Sequence, residues 1–245
     1  MDHAIYTAMG AATAALDRQA VVSDNLANAS TPGFRAQIAA YRAVPVDGPS
    51  MATRTLVTES TPGSDYSSGT VEKTDRPLDV ALPKEGWLAV QLPDGTEGYT
   101  KNGNIQMTAD GQLQVRGLPL MGDGGPLTVP TQAKLTIAPD GTISALGAGE
   151  EPSAVAQTGR IKIVNALPGE LQHGDDGVFH TRDASSLAAD TSLQLMPGML
   201  EGSNVSPVNS MVNMITTARS FEMNMKVITT VDDNERNANQ LLSAS

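Results

Sequence analysis

The amino-acid sequence predicts an α+β protein: a helix at each end, the two forming a coiled-coil-like domain, and a Gly/Pro-rich antiparallel β domain inserted between them. Of its 23 glycines and 15 prolines, all but four lie within residues 45–202, so the ends permit helices and the middle is rich in turns. Apolar residues recur at three- and four-residue spacing at both ends, and Asp-Gly turns separate short alternating runs in the middle. The predicted segments are 1–45, 46–202 and 203–245.

The first predicted element is a helix that ends at Pro32-Gly33. Its seam residues follow alternating spacings of four and three, and three further apolar residues widen the stripe. The seam consists of Ile5, Met9, Ala12, Leu16, Gln19, Ser23 and Leu26, widened by Ala8, Ala15 and Val22. Because several of these side chains are small or polar, the helix is marginal alone and is expected to need a partner helix.

The middle segment carries three Asp-Gly turns, at Asp94, Asp110 and Asp140, each flanked by strand-like residues. Asp-Gly between alternating runs favours tight turns with positive φ. We therefore predict antiparallel β-hairpins at these three places.

The last predicted element is a long helix that begins after Ser206. Ser206 and Pro207 occupy the N-cap and first helical positions, and no Gly or Pro follows before the end of the sequence. Its apolar residues keep helical spacing: Met214, Ala218, Phe221, Met225, Ile228, Val231, Ala238 and Leu242. The methionines at 211, 214, 223 and 225 favour a seam between molecules, with ordinary core packing as the alternative.

Charge and composition exclude several classes of partner. The formal net charge is -11, and most of it falls in the middle segment, which is therefore expected to be solvated. Nucleic acid and anionic membranes need a basic face, so neither is an expected partner. There is no apolar run long enough for membrane insertion and no signal-peptide pattern at the start, so we expect a cytoplasmic protein or one exported without cleavage.

Candidate chemistry is scarce. Three histidines are present and no cysteine, and only residues 173–180 (HGDDGVFH) bring histidines and carboxylates together. A metal site there is the alternative to a glycine-rich surface turn, which explains the same residues. No phosphate-binding or nucleophile motif is found. We predict no catalytic residues, no metal, no cofactor and no small-molecule substrate; a hydrolase or lyase would need a convergent set of titratable groups.

Four segments resemble the signatures of the flagellar rod and hook axial proteins. They are residues 24–34 (DNLANASTPGF), 76–82 with 86–90, 99–103, and 200–205 with the helix that follows. The family-motif residues are Asn25, Asn28, Thr31, Pro32, Gly33, Leu78, Asp79, Asn204 and Glu222. Residues 1–10 and 34–48 look like the proximal rod branch, with distal rod protein as the close alternative. The asparagines are expected to satisfy backbone groups rather than bind a ligand.

The resemblance implies a structural subunit of the flagellar basal-body rod, required for motility. Such a subunit would be exported unprocessed by the flagellar type III apparatus and would assemble with itself and with proximal and distal rod subunits in a rod crossing the periplasm. The terminal helices are expected to carry the subunit contacts through Ile5, Met9, Leu16, Val22, Leu26, Phe34, Met214, Phe221, Met225 and Ile228. A secreted β-rich adhesin is the remaining alternative; it would not need apolar helical seams at both ends.

Overall fold

Two compact units make up the chain in the computed structural model, which describes residues 2–45, 55–147, 156–174 and 176–243. The first, the helical unit, comprises Met1–Ala27, Gln37–Gly63 and Val205–Ser245. The second, the β unit, comprises Asn28–Ala36 and Ser64–Asn204. Residues 46–48 of the branch-specific stretch and Asp175 of the histidine cluster lie outside the described residues.

The helical unit is built on two long helices, α1 (Asp2–Ala27) and α2 (Pro207–Ser243), which pack against each other. Strands β1 (Gln37–Pro45) and β2 (Thr55–Ser64) form a two-stranded sheet. The predicted start of α2 is confirmed, and Ser206 caps it: its Oγ lies 3.4 Å from the Asn209 amide nitrogen. No helix in the described part of the chain is long and apolar enough to cross a membrane.

The facing seam of the two helices consists mainly of small side chains. In α1, the buried positions are Ala8, Ala12, Ala15 and Val22; in α2 they are Ser210 and Thr217, followed by half-buried Met214, Phe221, Asn224, Ile228 and Val231. The positions are separated by three, four or seven residues, as in a coiled coil. The apolar spacing instead predicts an α1 seam centred on the larger residues, yet Met9 and Leu16 are 54% and 53% exposed. Small residues let the helix backbones approach closely, which leaves the large ones outside.

The end of α1 also differs from the prediction. The helix ends at Ala27, before Pro32-Gly33, because a turn intervenes in which the Thr31 amide donates to the Asn28 carbonyl at 3.1 Å. The Asn25 side chain bonds both backbone groups of Gln37, donating to its carbonyl and accepting from its amide at 2.8 Å each. The hydrogen bonds made by the Asn25 side chain and the Asn28 carbonyl therefore end the helix before Pro32.

In its described residues the β unit contains seventeen short strands. They are β3 (Val71–Lys73), β4 (Val80–Ala81), β5 (Gly86–Gln91), β6 (Glu97–Thr100), β7 (Gln106–Met107), β8 (Leu113–Val115), β9 (Leu118–Pro119), β10 (Met121–Gly122), β11 (Gly125–Pro126), β12 (Lys134–Ile137), β13 (Thr142–Leu146), β14 (Ala156–Arg160), β15 (Ile163–Asn165), β16 (Leu171–His173), β17 (Phe179–Thr181), β18 (Met196–Pro197) and β19 (Met199–Glu201). The largest sheet has the order β15-β5-β6-β17-β16, and the smaller sheets are β12-β13-β14, β7-β8-β9, β10-β11, β18-β4 and β19-β3.

All three predicted hairpins are confirmed as antiparallel pairs: β5 with β6, β7 with β8, and β12 with β13. The turn glycines Gly95, Gly111 and Gly141 have φ values of 86°, 80° and 84°, the left-handed conformation that glycine adopts without steric cost.

The core of the β unit has two apolar clusters. The larger one is aliphatic and includes Val80, Leu88, Ile105, Leu113 and Ile143. The smaller one is aromatic: the Trp87 ring lies 4.7 Å from the Phe179 ring, measured between centroids, and Tyr99 belongs to the same cluster. These clusters give the β unit a core of its own.

Candidate assembly site

Asn204 gathers three of the four places at which the chain enters or leaves the β unit. Its Oδ1 accepts from the Ala36 amide at 2.7 Å, and its Nδ2 donates to the Asp65 and Ser67 carbonyls at 2.9 and 3.0 Å. The Asp65 amide in turn donates to the Ala36 carbonyl at 2.8 Å. One amide side chain thus holds the segments around residues 36, 65 and 204 together.

Backbone bonds extend this arrangement to Gly33, Thr70 and Gly202. The Gly33 amide donates to the Glu201 carbonyl at 2.8 Å, and the Gly202 amide donates to the Thr70 carbonyl at 2.8 Å. We call the set of residues 28–36, 65–70 and 200–204 the motif junction, since it joins the first family motif to the last.

A buried ion pair crosses the motif junction. Arg35 Nη2 lies 2.8 Å from Glu201 Oε1, and the two side chains are 1% and 2% exposed. The same Oε1 accepts from the Gly69 amide at 2.9 Å. Desolvating two charges costs several kcal/mol each, so removing one partner is expected to destabilise the unit strongly.

Lys101 is a second buried cation, 1% exposed, from the third family motif. Its Nζ donates to the carbonyls of Pro83 and Lys84 at 2.7 Å each and lies 5.1 Å from the centre of the Trp87 ring. Burial and the nearby Arg35 guanidinium lower the pKa of Lys101 to about 7, against smaller opposing effects of two carboxylates.

Most of the second family motif lies in or beside the core. Leu78 packs against the larger cluster, and Asp79 is buried. Asp79 Oδ1 accepts from Asn104 Nδ2 at 3.2 Å and lies 3.5 Å from the Nε of Arg76. Both residues therefore stabilise the fold.

The first family motif is divided between the two units. Asn25 belongs to the helical unit, whereas Asn28, Thr31, Pro32 and Gly33 belong to the β unit. Thr31 Oγ1 donates to Asn28 Oδ1 at 3.2 Å. These contacts stabilise turns.

Of the residues predicted to contact other subunits, Phe34 and Val22 are buried and Ile5, Leu26, Met214, Phe221 and Ile228 are half-buried. Met9, Leu16 and Met225 are exposed, and so is the motif residue Glu222. The structure thus separates the predicted set into residues that turn inward and residues that face solvent.

Apolar side chains cover part of the outside of both helices. On α1 they are Tyr6, Met9 and Leu16, spaced by three and seven residues. On α2 one row of them consists of Val208, Met211, Val212 and Ile215, at the i, i+3, i+4, i+7 positions of one helical face. We call these two sets the outer stripes. Exposed apolar residues in a row mark an interaction surface.

A groove of about 270 Å³ runs along the helical unit. It is lined by Ala11, Ala14, Ala15, Arg18, Tyr41, Thr216, Thr217, Ser220 and Asn224. Tyr41 donates its hydroxyl to the Ala14 carbonyl at 3.0 Å, so β1 is fastened to α1 beside the groove.

The histidine cluster is a surface turn in the described residues. His180 Nε2 lies 3.0 Å from Asp176 Oδ1, and the Asp176 carboxylate also accepts from the Val178 amide at 3.3 Å. Across the described part of the chain, no three His, Asp or Glu side chains converge as a metal site.

The buried group formed by Arg35, Glu201 and Lys101 was not predicted from the sequence. Each residue lies in or beside a family motif, but Arg35 and Glu201 are far apart along the chain and no local pattern pairs them. The sequence offers one hint of this buried group: Arg35 is a charged residue directly after Gly33-Phe34, in a terminal segment with few charges.

Comparisons with known families match three parts of the chain. Residues 5–35 match the family "Flagella basal body rod protein", residues 81–145 match "Flagellar hook protein FlgE/F/G D1 domain", and residues 196–241 match "Flagellar basal body rod FlgEFG protein C-terminal". These segments hold the outer stripes, part of the β unit and the Glu201–Asn204 side of the motif junction.

Similar proteins match over 90% or more of the chain. The flagellar basal-body rod protein FlgF of Salmonella typhimurium is 61% identical and that of Escherichia coli is 58% identical, with 100% of both chains covered. A flagellar basal-body rod protein FlgG of Buchnera aphidicola is 32% identical over 90% of this chain and 92% of its own.

These matches fall in one class, the structural rod proteins of the flagellar basal body. The chain belongs to the FlgF family of flagellar basal-body rod proteins. The predicted family, structural role and location in the basal body are thereby confirmed, and membership implies assembly with other axial rod proteins.

Proposed function

We propose that this chain forms part of the proximal rod, in a helical assembly with copies of itself and with neighbouring rod subunits, and that the outer stripes make the contacts between subunits. The single observation that carries this proposal is the position of Met9, Leu16, Met211 and Ile215. All four are large, apolar and exposed, at 49% to 56% of their surface.

The facing seam of α1 and α2 supports a role for the outer stripes in contacts between subunits. Small residues already fill the contact between the two helices, so the larger side chains of the outer stripes are free to pack against other chains. Burying apolar surface contributes about 25 cal/mol per Å². Many such contacts repeated along a polymer make a stiff shaft.

The branch assignment rests on relatedness. The FlgF proteins of two enterobacteria share 61% and 58% of residues with this chain, whereas a FlgG protein shares 32%. We further propose that the subunit leaves the cell through the flagellar type III apparatus and ends in the part of the rod that crosses the periplasm, with the acidic β unit turned outward.

The test is a double substitution, Met9→Ser with Leu16→Ser, introduced into the flagellated host. We expect loss of swimming, with the subunit exported but absent from purified basal bodies, because the outer stripe of α1 no longer buries apolar surface. The matched control is Leu167→Ser, which changes a side chain of similar exposure, 55%, in the β unit. Normal incorporation of the double variant would contradict the proposal, and retention of the variant inside the cell would indicate an export defect instead.

A further inference from the structure

Asp-Gly pairs can rearrange without an enzyme, and the turns of the β unit contain several of them. The glycine amide nitrogen attacks the side-chain carboxyl carbon, water leaves, and a succinimide ring forms. Hydrolysis of the ring gives aspartate or isoaspartate, in which the main chain runs through the side-chain carboxyl. The sequence has six such pairs; the pair at 47–48 lies outside the described residues, and the other five begin at Asp94, Asp110, Asp123, Asp140 and Asp176.

In four of the five described pairs, the attacking nitrogen already donates a hydrogen bond. The amides of Gly95, Gly111, Gly141 and Gly177 donate to the carbonyls three residues earlier, at 2.9, 3.0, 2.9 and 3.1 Å. This bond must break before the nitrogen attacks. Since one hydrogen bond changes an equilibrium by about fivefold, each of these pairs is expected to react at least that much more slowly.

The carboxyl group is also held in three of these four pairs. Asp94 and Asp140 each accept from the amide and the hydroxyl of the threonine two residues later, at 2.6 to 3.0 Å. These hydrogen bonds lower the pKa of both carboxyls, so less of each is in the protonated form that releases water. The Asp176 carboxylate contacts His180 Nε2 at 3.0 Å. The Asp110 carboxylate makes no such contact among the described residues, so the Gly111 amide bond alone protects that pair.

Asp123-Gly124 has neither kind of protection. The two residues form the exposed turn of the hairpin between β10 and β11. Neither the Gly124 amide nor the Asp123 carboxylate makes a hydrogen bond or ion pair among the described residues. A Cβ built on Gly124 has nothing within 4 Å, whereas one on Gly111 would lie 2.1 Å from the Val129 carbonyl oxygen. Of the five described pairs, this one alone leaves both reacting atoms free to move.

We propose that Asp123-Gly124 is a site of spontaneous isoaspartate formation in the folded subunit. One water is released when the ring closes and one is consumed when it opens, so the step needs no oxidant and no cofactor. The main chain gains one carbon between Asp123 and Gly124. This carbon lengthens the two-residue turn that pairs Gly122 with Gly125, and the register of β10 and β11 depends on the length of that turn.

Asn102-Gly103 is an internal reference for the effect of folding. Asn-Gly closes the same ring with loss of ammonia instead of water, and it reacts faster than Asp-Gly in unfolded chains. Here Asn102 is buried, and its Oδ1 accepts from the Asn104 amide at 2.9 Å. A Cβ built on Gly103 would lie 1.6 Å from the Val80 carbonyl oxygen, so this turn has no room to move. Folding should therefore protect the faster pair and leave Asp123-Gly124 unprotected.

The test compares isoaspartate formation in the purified full chain in neutral buffer with and without guanidinium chloride. Trypsin places the five described Asp-Gly pairs in five different peptides. A protein isoaspartyl methyltransferase with labelled S-adenosylmethionine marks each isoaspartate, and the ratio of folded to unfolded rates removes the effect of neighbouring residues. We expect a ratio near one at Asp123, about one fifth or less at the other four aspartates, and loss of ammonia from Asn102 only in the unfolded chain.

Thr96→Val is the matched variant. It removes the hydroxyl bond to the Asp94 carboxylate and should raise the folded-state rate at Asp94 by about fivefold, with the rates at Asp123 and Asp140 unchanged. A ratio at Asp123 as low as the ratio at Asp110, or equal ratios at all five pairs, overturns the proposal. An unchanged rate at Asp94 in this variant would count against it too, because carboxyl hydrogen bonds would then give no protection.

Discussion

The motif junction predicts a large loss of stability when Asn204 is replaced by alanine. The side chain makes three bonds to backbone groups, at 2.7, 2.9 and 3.0 Å. Each hydrogen bond contributes about 1 kcal/mol, so Asn204→Ala is expected to lower the free energy of unfolding by about 3 kcal/mol. For a unit of this size, that corresponds to a fall of about 6–12 °C in melting temperature.

The assay uses the position of the single tryptophan. Trp87 is 2% exposed and lies in the β unit, so its fluorescence during urea unfolding reports on that unit. Far-UV circular dichroism on the same samples reports mainly on the helices. We expect Asn204→Ala to shift the fluorescence midpoint to lower urea, because the junction belongs to the β unit.

Asn165→Ala is the control for loss of an asparagine. Asn165 Nδ2 makes one exposed bond, 3.3 Å, to Asp190 Oδ2, and its loss is expected to change stability by less than about 0.5 kcal/mol. If both variants unfold at the same urea concentration, Asn204 does not hold the junction together.

Two further predictions concern the same unit. In Gly33→Ala the new Cβ would lie 2.3 Å from the Lys101 carbonyl carbon and oxygen, whereas the Cβ of Gly95→Ala would meet open space. Gly33→Ala should therefore lose far more stability than Gly95→Ala in urea unfolding. Both glycines have positive φ, so equal losses would show that the backbone conformation alone determines the cost. The free energy of unfolding should rise between about pH 7 and pH 10.5, because the unfolded chain keeps the Lys101 proton that the folded chain has lost. Lys101→Met should flatten this rise in urea titrations at several pH values, and an unchanged slope would contradict the low pKa.

Local chemistry explains what the sequence could predict. The Ser206-Pro207 start of α2 and the three Asp-Gly hairpins depend on capping and on positive φ, which neighbouring residues decide. The backbone bonds made by Asn25 and Asn204 likewise agree with the expected behaviour of asparagine at helix ends and turns.

The face of α1 that packs against α2 could not be predicted from neighbouring residues in the same way. Apolar spacing fits two adjacent helix faces, one through Ala8 and Ala15 and one through Met9 and Leu16, and side-chain size favoured the second. Which face turns inward depends on how closely α2 approaches. The Arg35–Glu201 pair is similarly invisible in the sequence, because only the folded chain brings these residues together.

The gathering of three chain crossings at Asn204 has a consequence for how such proteins can vary. Because the β unit is interrupted, resumes and ends at one place, residues can be added to or removed from its outer hairpins without moving these three crossings. The motif junction thus keeps its structure, and loops remote from it accommodate differences in length between relatives most readily.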